Sequence, residues 1–147
     1  MPAGQRASRL LRPGDLLLEG SGGGERTNVG RVVQWTGNES AVCSNFIRVL
    51  RPTSNCSSRY LTYLHRSLYA TGISAACTKQ TTGIQNLDVR AYLSTRVDIP
   101  AFEQQVTIAD FLDRETSWIA QLDERARRVA ELSVAASRSE IDTRLEK

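Results

Sequence analysis

Two hydrophobic patterns divide the chain near Pro100. Before it, apolar residues come in short runs separated by glycine, proline and small polar residues, a pattern typical of mixed strands and helices. After it, apolar residues recur with helical spacing, and none of the 10 glycines or 4 prolines lies beyond Pro100. The sequence therefore predicts an α+β fold, with a small domain over residues 1–100 and one long helix, suited to a coiled coil, over residues 101–147.

Short runs rich in apolar, β-branched and aromatic residues predict the strands of the first part. Four strands are predicted, at residues 15–19, 29–35, 45–50 and 95–99. The glycine-rich residues 20–25 are predicted to be a loop, because such a run cannot hold regular structure. The polar residues 78–86, dense in hydrogen-bonding side chains, are also predicted to be a loop.

Helical spacing also occurs within the first part. Three leucines share one face of a helix predicted over residues 59–71: Leu61, Leu64 and Leu68. A shorter turn of helix is predicted to end at Leu93, and Gly72 is a natural residue just past the end of the longer helix. Short polar residues can cap both starts: Ser57 or Ser58 for the longer helix, and Asn86 or Asp88 for the shorter one.

The long helix carries an apolar stripe. Counted in heptads from Ile108, apolar residues recur as far as Leu132 at the positions that face a partner helix in a coiled coil. The predicted helix-pairing residues are Ile108, Phe111, Leu112, Trp118, Ile119, Leu122, Val129 and Leu132. A stripe of this length needs a second helix to bury it, and we expect an antiparallel homodimer. Packing of the helix on its own domain is the alternative.

Charge separates the same two parts. Residues 1–102 carry 11 Arg and 1 Lys against 6 acidic residues, a net charge of +6. Residues 103–147 carry 6 Arg and 1 Lys against 10 acidic residues, a net charge of −3. A basic domain joined to an acidic helix is expected if only the domain meets the phosphates of DNA. An ordinary arginine-rich surface is the alternative interpretation.

Residues suited to catalysis are few. His65 is the only histidine, no nucleophilic triad can be built around it, and no spacing typical of metal ligands or of a phosphate-binding loop occurs. The sequence lacks the Asn/Asp-Pro-Pro-Tyr/Phe motif of adenine methyltransferases and the Glu-x-Lys motif of restriction nucleases. We therefore expect no enzymatic activity, no metal and no cofactor in this chain.

The cysteines and the apolar runs bear on the compartment. Cys43, Cys56 and Cys77 are odd in number and lack Cys-x-x-Cys spacing, so free thiols are expected. No apolar run approaches the ~18–20 residues that cross a bilayer. No apolar segment follows the N-terminus as it does in a secretory signal. The sequence therefore predicts a cytoplasmic protein that has no membrane partner.

Three ordered motifs surround the boundary between the two parts. Their sequences, in chain order, are TGIQNL at residues 82–87, PAFEQ at 100–104 and FLDRET at 111–116. Together they resemble the DNA-specificity (S) subunit of type I restriction-modification systems. In that family a target-recognition domain ends in a TGIQNL loop, and a PxxEQ entry leads into a coiled-coil helix that opens with FLDxET. Residues 19–31 are similar to a glycine-rich EGG…GR segment of the same family, although a plain connecting loop is an equal alternative there.

The resemblance implies a protein that reads DNA and performs no chemistry of its own. The domain would bind one half of a bipartite site in double-stranded DNA. The long helix would dock the methyltransferase (modification) subunit and, through it, the restriction subunit. S-adenosylmethionine, ATP and Mg²⁺ would be bound by those partner chains.

Candidate DNA-binding residues lie on the predicted strands and on the polar loop. Arginine and amide side chains suit base edges, and lysine and threonine suit phosphates. The candidates are Arg31, Gln34, Arg48, Lys79, Gln80, Thr81, Thr82, Gln85 and Asn86. Family members with different targets share the TGIQNL loop, so that loop is expected to contact the DNA backbone or to act as scaffold. Base contacts are expected from side chains such as Arg31, Gln34 or Arg48.

The chain departs from the family pattern in size. Family members carry two recognition domains and two helices, whereas this chain has one of each, with 100 residues before its helix. We therefore expect a half-length or N-terminally truncated specificity subunit. If the domain is too incomplete to bind DNA, the chain would act only as a helix-mediated protein interaction module.

Overall fold

The computed structural model describes residues 9–22, 24, 27–81 and 83–145, without the side chains of residues 80, 81, 136, 137 and 139–145. The chain forms two compact units, Met1–Ala109 and Asp110–Lys147. The first unit holds two small antiparallel sheets and short helices, and the second belongs to one long helix. The predicted α+β fold with one long helix is therefore confirmed. The division into functional parts at residue 100 stays a prediction.

In the first sheet, strand β1 (Leu16–Glu19) lies between strands β3 (Val32–Gln34) and β4 (Ile47–Leu50), both antiparallel to it. The residues of β1 alternate between buried and half-buried, as expected for a strand with one face on a core. The strands predicted at residues 15–19, 29–35 and 45–50 are confirmed, although each begins later than predicted. Strand β3 begins late because Gly30, with φ +105°, interrupts the extended backbone.

The second sheet consists of strands β2 (Ser21–Gly22), β6 (Ile84–Leu87) and β5 (Thr78–Thr81), in that spatial order. The loop prediction was therefore wrong for residues 78–81 and 84–86, which lie on the paired strands β5 and β6 (the hairpin), and for the β2 residues of the glycine-rich segment. In β6 the second and fourth residues, Gln85 and Leu87, are buried. The alternation escaped the sequence reasoning because one buried position holds a glutamine, whose amide is satisfied within the fold.

Helix α1 (Ser58–Ala70) begins and ends close to the predicted residues. The hydroxyl of Ser57 accepts a hydrogen bond from the N–H of Tyr60, which satisfies one of the free donors of the first turn. Gly72 lies just past the end of the helix with φ +82°, a left-handed conformation that glycine adopts without strain. Both predicted boundary residues, Ser57 and Gly72, are confirmed.

Two shorter helices follow. Helix α2 (Ile73–Ala76) was not predicted, because its four residues are too few to show helical spacing. Helix α3 (Val89–Leu93) begins at Asp88, whose carboxylate accepts a hydrogen bond from the N–H of Ala91. Of the two caps that the sequence offered, Asp88 is therefore confirmed, and Asn86 lies inside β6 instead.

Residues 95–99, which were predicted as a strand, form no regular structure, and that prediction was wrong. Neither sheet includes this segment. Val97 and Ile99 are 37% and 47% exposed. A strand needs a neighbour for its backbone hydrogen bonds, so β-branched residues alone do not make one.

One core joins both sheets and the helices of the first unit. Its buried members come from β1, β3, β6, α3 and the turn before β3: Leu16, Leu18, Val29, Val32, Leu87 and Tyr92. Leu61 and Leu68 of α1 are half-buried and pack against this cluster. Burial of each large apolar side chain contributes about 1.5–3 kcal/mol, so the cluster is the main source of stability in the unit.

The long helix, α4 (Phe102–Leu145), has 44 residues and is about 66 Å long at ~1.5 Å per residue. At its start the side chain of Gln104 accepts a hydrogen bond from the N–H of Ala101 (3.3 Å), and Glu103 lies in the positive first turn. Ala109 is buried, whereas the described side chains beyond it are half-buried or exposed. None of the described helices combines the length and the apolar character that crossing a membrane requires.

Candidate nucleic-acid interface

The first sheet has one face on the core and one face directed outward. On the outward face, Leu17 of β1 lies directly between Val33 of β3 and Val49 of β4. Val33 is 53% exposed, and the other two are half-buried. Two residues along β1, the N–H of Glu19 donates to the carbonyl of Arg31 (2.9 Å). The outward face therefore combines an apolar row with an arginine at one corner.

The side chain of Arg31 is held by α1. Its Nε donates to the hydroxyl of Tyr69 (3.3 Å), and its guanidinium lies over the Tyr69 ring, 5.6 Å from the centroid. The Tyr69 hydroxyl in turn donates to the carbonyl of Asn28 (3.0 Å). The hydrogen bond with Tyr69 and, to a smaller extent, the charge of Glu19 raise the pKa of Arg31. The Arg31 guanidinium is therefore positively charged, and Tyr69 holds its orientation.

A surface pocket of about 260 Å³ opens beside this arginine. Its lining combines residues at the start of β3 with residues of α1: Arg31, Val32, Val33, Arg66 and Tyr69. The guanidinium of Arg66 lies over the ring of Tyr63, 5.5 Å from the centroid. Two guanidinium groups, each lying over a tyrosine ring, therefore border a pocket that is also lined by two valines.

Gln85 ties the hairpin to the segment that leads into β3. Its Oε1 accepts a hydrogen bond from the N–H of Val29 (3.1 Å), and its Nε2 donates to the carbonyl of Gly24 (2.9 Å). Next to Val29, a Cβ atom at Gly30 would lie 2.6 Å from the Cβ atom of Ser74 in α2. The buried amide and the close approach of two backbones together fix where β3 begins.

The other hairpin candidates are engaged at the surface. Lys79 Nζ lies 2.9 Å from Asp88 Oδ2, and this contact raises the pKa of Lys79 and lowers the pKa of Asp88. Asn86 Oδ1 accepts a hydrogen bond from the hydroxyl of Ser21 (2.8 Å). Three candidates near the turn have no described side chain, and the last of them lies outside the described residues altogether: Gln80, Thr81 and Thr82.

Gln34 and Arg48 lie on opposite edge strands of the first sheet. Gln34 ends β3, is half-buried and pairs with Leu16. Arg48 is exposed on β4, where a guanidinium N–H donates to the carbonyl of Asn45 (3.4 Å). The structure therefore does not bring these candidates together: Arg31 precedes β3 and shares the outward face with Val33, whereas Gln34 pairs with the buried Leu16. Arg48 lies on the far strand, and the hairpin candidates lie in the other sheet.

Sequence reasoning missed an ion pair between Asp15 and Arg51. Two guanidinium N–H groups of Arg51 donate to the two carboxylate oxygens, each at 2.7 Å, and the N–H of Arg12 adds a third hydrogen bond (2.9 Å). These contacts, with Arg51 as the largest contributor, lower the pKa of Asp15. Asp15 precedes β1 and Arg51 follows β4, so opposite charges that face each other across paired strands were the available signal.

Sequence reasoning also missed the role of Gln105, near the start of α4. Its buried side chain accepts a hydrogen bond from the N–H of Ser57 (2.9 Å) and donates to the carbonyls of Pro100 (2.9 Å) and Asn55 (3.3 Å). These contacts fix the first turns of the helix to the loop that starts α1. Gln105 follows the PAFEQ motif directly, but a glutamine in a helical pattern ordinarily indicates a surface position.

His65 lies at the edge of the core. Its Nδ1 is 2.8 Å from the hydroxyl of Tyr92, and burial lowers the pKa of His65 and raises the pKa of Tyr92 to about 12. The three cysteines are free: Cys43, Cys56 and Cys77. Within the described ranges, no group of three or more His, Cys, Asp or Glu side chains could hold a metal ion.

The eight helix-pairing candidates all lie on α4. Leu112 is half-buried, and the other seven range from 39% exposed at Ile108 to 66% exposed at Val129. An ion pair between Arg127 and Asp123 (2.7 Å) lies on the same helix and is exposed to solvent. We refer to the eight candidates as the apolar stripe.

A comparison with protein families identifies the chain. Residues 24–129 match the model of the type I restriction modification DNA specificity domain. No curated protein matched the chain. The matched range begins after β1 and β2 and includes the other four strands, the pocket beside Arg31 and most of the apolar stripe. The chain therefore belongs to the type I restriction-modification DNA specificity family, whose role is DNA recognition and whose domains are generally non-catalytic.

Proposed function

We propose that this chain binds one half of a bipartite site in double-stranded DNA through residues 1–100 and docks the modification subunit through its long helix. The proposal is carried by one contrast. The domain has a net charge of +6 and a buried apolar core, whereas none of the described large apolar side chains of the acidic helix is buried. Phosphates attract the first surface, and burial of apolar area drives association of the second.

The proposed DNA contacts are the accessible members of the predicted set, together with the hairpin residues near the turn: Arg31, Gln34, Arg48, Lys79, Gln80, Thr81, Thr82 and Asn86. Gln85 is assigned to the scaffold, because its amide already bonds to two backbone groups. Lys79 has an exposed partner in Asp88, and exposed ion pairs contribute little to stability. A DNA phosphate can therefore replace that carboxylate.

The apolar stripe supports a homodimer through an antiparallel helix pair. Such a pair would reproduce in two chains the two-helix arrangement that the family resemblance implies for a full-length subunit. The modification subunit, and through it the restriction subunit, would bind this helix pair. S-adenosylmethionine, ATP and Mg²⁺ would be bound by those partners, and this chain would position them on DNA in the cytoplasm.

Reconstituted methylation tests the proposal. Labelled S-adenosylmethionine and unmodified genomic DNA are incubated with this chain, with the cognate modification subunit, or with both. The expected result is no label transfer for either protein alone and transfer, confined to one bipartite sequence, for the mixture. Transfer by this chain alone would contradict its assignment as a non-catalytic subunit.

A second function, that of an interaction module without DNA binding, is favoured by one observation. The described polar side chains of the hairpin are engaged within the chain, Lys79 with Asp88, Asn86 with Ser21, and Gln85 with the backbone. In that case the mixture stays inactive, while a pull-down still recovers the modification subunit through residues 101–132.

A further inference from the structure

We infer that the pocket between β3 and α1 is a subsite for one phosphate–deoxyribose unit of the DNA backbone, an inference that rests on the proposed DNA binding. The phosphate would accept hydrogen bonds from Arg31 and Arg66 at the rim. The deoxyribose would lie against Val33, which is 53% exposed and forms part of the lining. Arg31, expected from the sequence to read bases, would then position the duplex instead.

The charges at the rim support an anionic ligand. Within the part of the chain that the structure describes, neither Arg31 nor Arg66 lies within ion-pair distance of a carboxylate, and the charge of Glu19 acts on Arg31 only from further away. Each guanidinium is instead stacked on a tyrosine ring, at 5.6 Å and 5.5 Å from the centroids. The tyrosine rings thus orient the two guanidinium groups. A guanidinium group binds phosphate oxygens through paired hydrogen bonds, so a phosphate is a suitable ligand here.

The size and the lining of the pocket suit one small unit of DNA that carries negative charge. Its volume of about 260 Å³ lies below the ~300–1,000 Å³ typical of sites for drug-sized ligands, so a single small unit fills it. Apart from the Tyr69 hydroxyl, which already donates to Asn28, the polar side-chain groups of the lining are guanidinium donors. The lining holds no amide or carboxylate side chain, so guanine is the one base edge that its guanidinium groups could pair with, and the cognate-to-random affinity ratio measured below separates that contact from a phosphate contact.

Tyr69 acts in this site as a positioning residue. Its hydroxyl accepts a hydrogen bond from Arg31 (3.3 Å) and donates one to the carbonyl of Asn28 (3.0 Å). The hydroxyl therefore connects the arginine to the backbone just before β3. Its removal would leave both positive charges in place but would loosen the orientation of one of them.

DNA binding by the full chain, in complex with its modification subunit, tests the subsite. Fluorescence anisotropy measures affinity for a random-sequence duplex and for the cognate duplex over a series of salt concentrations. We expect Arg31→Ala and Arg66→Ala each to weaken binding to both duplexes by the same factor, about 5-fold. Each change should also lower the slope of log affinity against log salt by about 1.

Three further variants separate charge, orientation and position. Arg66→Lys keeps the charge and should keep the salt slope while losing part of the affinity. Tyr69→Phe should weaken binding without changing the salt slope. Arg96→Ala, which removes an exposed arginine from the irregular segment after α3, is the matched control and should change neither. Thermal melting of every variant verifies the fold.

Different outcomes would contradict the phosphate subsite and the proposed DNA binding on which it rests. A change in the ratio of cognate to random affinity in Arg31→Ala or Arg66→Ala would show base reading and overturn the subsite. Unchanged DNA binding with weakened binding of the modification subunit would assign the pocket to an acidic protein segment and overturn it too. If the unaltered complex binds no DNA, the proposed function itself fails.

Discussion

The two units of this chain differ in apolar burial: the first has a buried apolar core, and no described large apolar side chain of the second is buried. In the unit that ends at Ala109, Leu16 and Leu18 are 1% and 0% exposed within a core shared by two sheets and the helices. In the unit that follows, Trp118 and Ile119 are each 60% exposed on a single helix. The first unit is stabilised by its own core, whereas burial of the exposed apolar residues of the second would add stability that the described contacts do not supply.

The same contrast occurs within one helix. Gln105 and Ala109 of α4 are 2% and 0% exposed, while Phe111, two residues further on, is 51% exposed. The first two turns belong to the packed unit, and the rest presents its stripe outward. Substitutions in one region and not in the other can therefore test whether burial accounts for this difference.

The largest effect is expected from Leu122→Asp combined with Val129→Asp. Two carboxylates placed in a buried helix pair would lack partners, so the dimer dissociation constant should rise at least about 100-fold. Sedimentation velocity measures this change. The control adds two aspartates outside the stripe, Gln121→Asp with Ala130→Asp, and should stay dimeric. Equal behaviour of the two double variants, or a monomeric unaltered chain, would contradict the proposed pairing.

The next largest effect is expected from Gln105→Leu. The change leaves the N–H of Ser57 and the carbonyl of Pro100 without their partner in a buried site, and should cost about 3 kcal/mol of unfolding free energy. Urea denaturation in the monomeric aspartate background avoids any dependence on dimer concentration. Gln104→Leu, an exposed neighbour with one long hydrogen bond, should cost well under 1 kcal/mol. Similar losses would mean that Gln105 does not hold the helix start.

A somewhat smaller loss, about 2 kcal/mol, is expected from Asp15→Asn, because the amide cannot accept both guanidinium hydrogen bonds as a charged group does. The contribution also depends on pH. Since the folded pKa of Asp15 lies below the ordinary value of 3.8, its stabilisation is present above that pH and is lost as the pH falls through the folded pKa. Stability of the variant should therefore depend less on pH in that range, as urea midpoints would show.

The smallest effect is expected from Asp123→Ala on the exposed part of the long helix. Its ion pair with Arg127 is 2.7 Å long, like that of Asp15 with Arg51, but both side chains are more than half exposed. Such helical pairs contribute about 0.3–0.5 kcal/mol. Urea denaturation should therefore hardly separate this variant from the unaltered chain. A loss as large as that of Asp15→Asn would show that burial does not govern the difference.

The sequence predicted those elements that depend on interactions between residues close together in the chain. The Ser57 cap, the Gly72 end and the apolar run of β1 each depend on a few neighbouring residues. The long helix was predicted because nothing in its composition interrupts it. By contrast, the hairpin was missed because Gln85 occupies a buried position, and its suitability depends on Val29, more than fifty residues away in the sequence.

The sequence predicted which residue types form the candidate interface but not where these residues lie in the fold. Arginine and amide side chains on strands were recognisable, but strand order decides which of them meet, and β1 separates Arg31 from Arg48. The pocket was not predicted because Arg66 and Tyr69 belong to a helix whose sequence signal is the spacing of its leucines, and that spacing does not reveal which polar residues meet β3. Gln105 was missed because the pattern of a helix does not reveal which polar residue is covered by a distant loop.

The two sides of strand β6 have different freedom to change during evolution. Its inward residues, Gln85 and Leu87, are fixed by the hydrogen bonds and the packing of the surrounding chain. Its outward residues, Ile84 and Asn86, are exposed, and a substitution there alters the surface without disturbing the frame. The buried side of this strand therefore maintains the fold of its own domain, and only the exposed side can change without disturbing that packing.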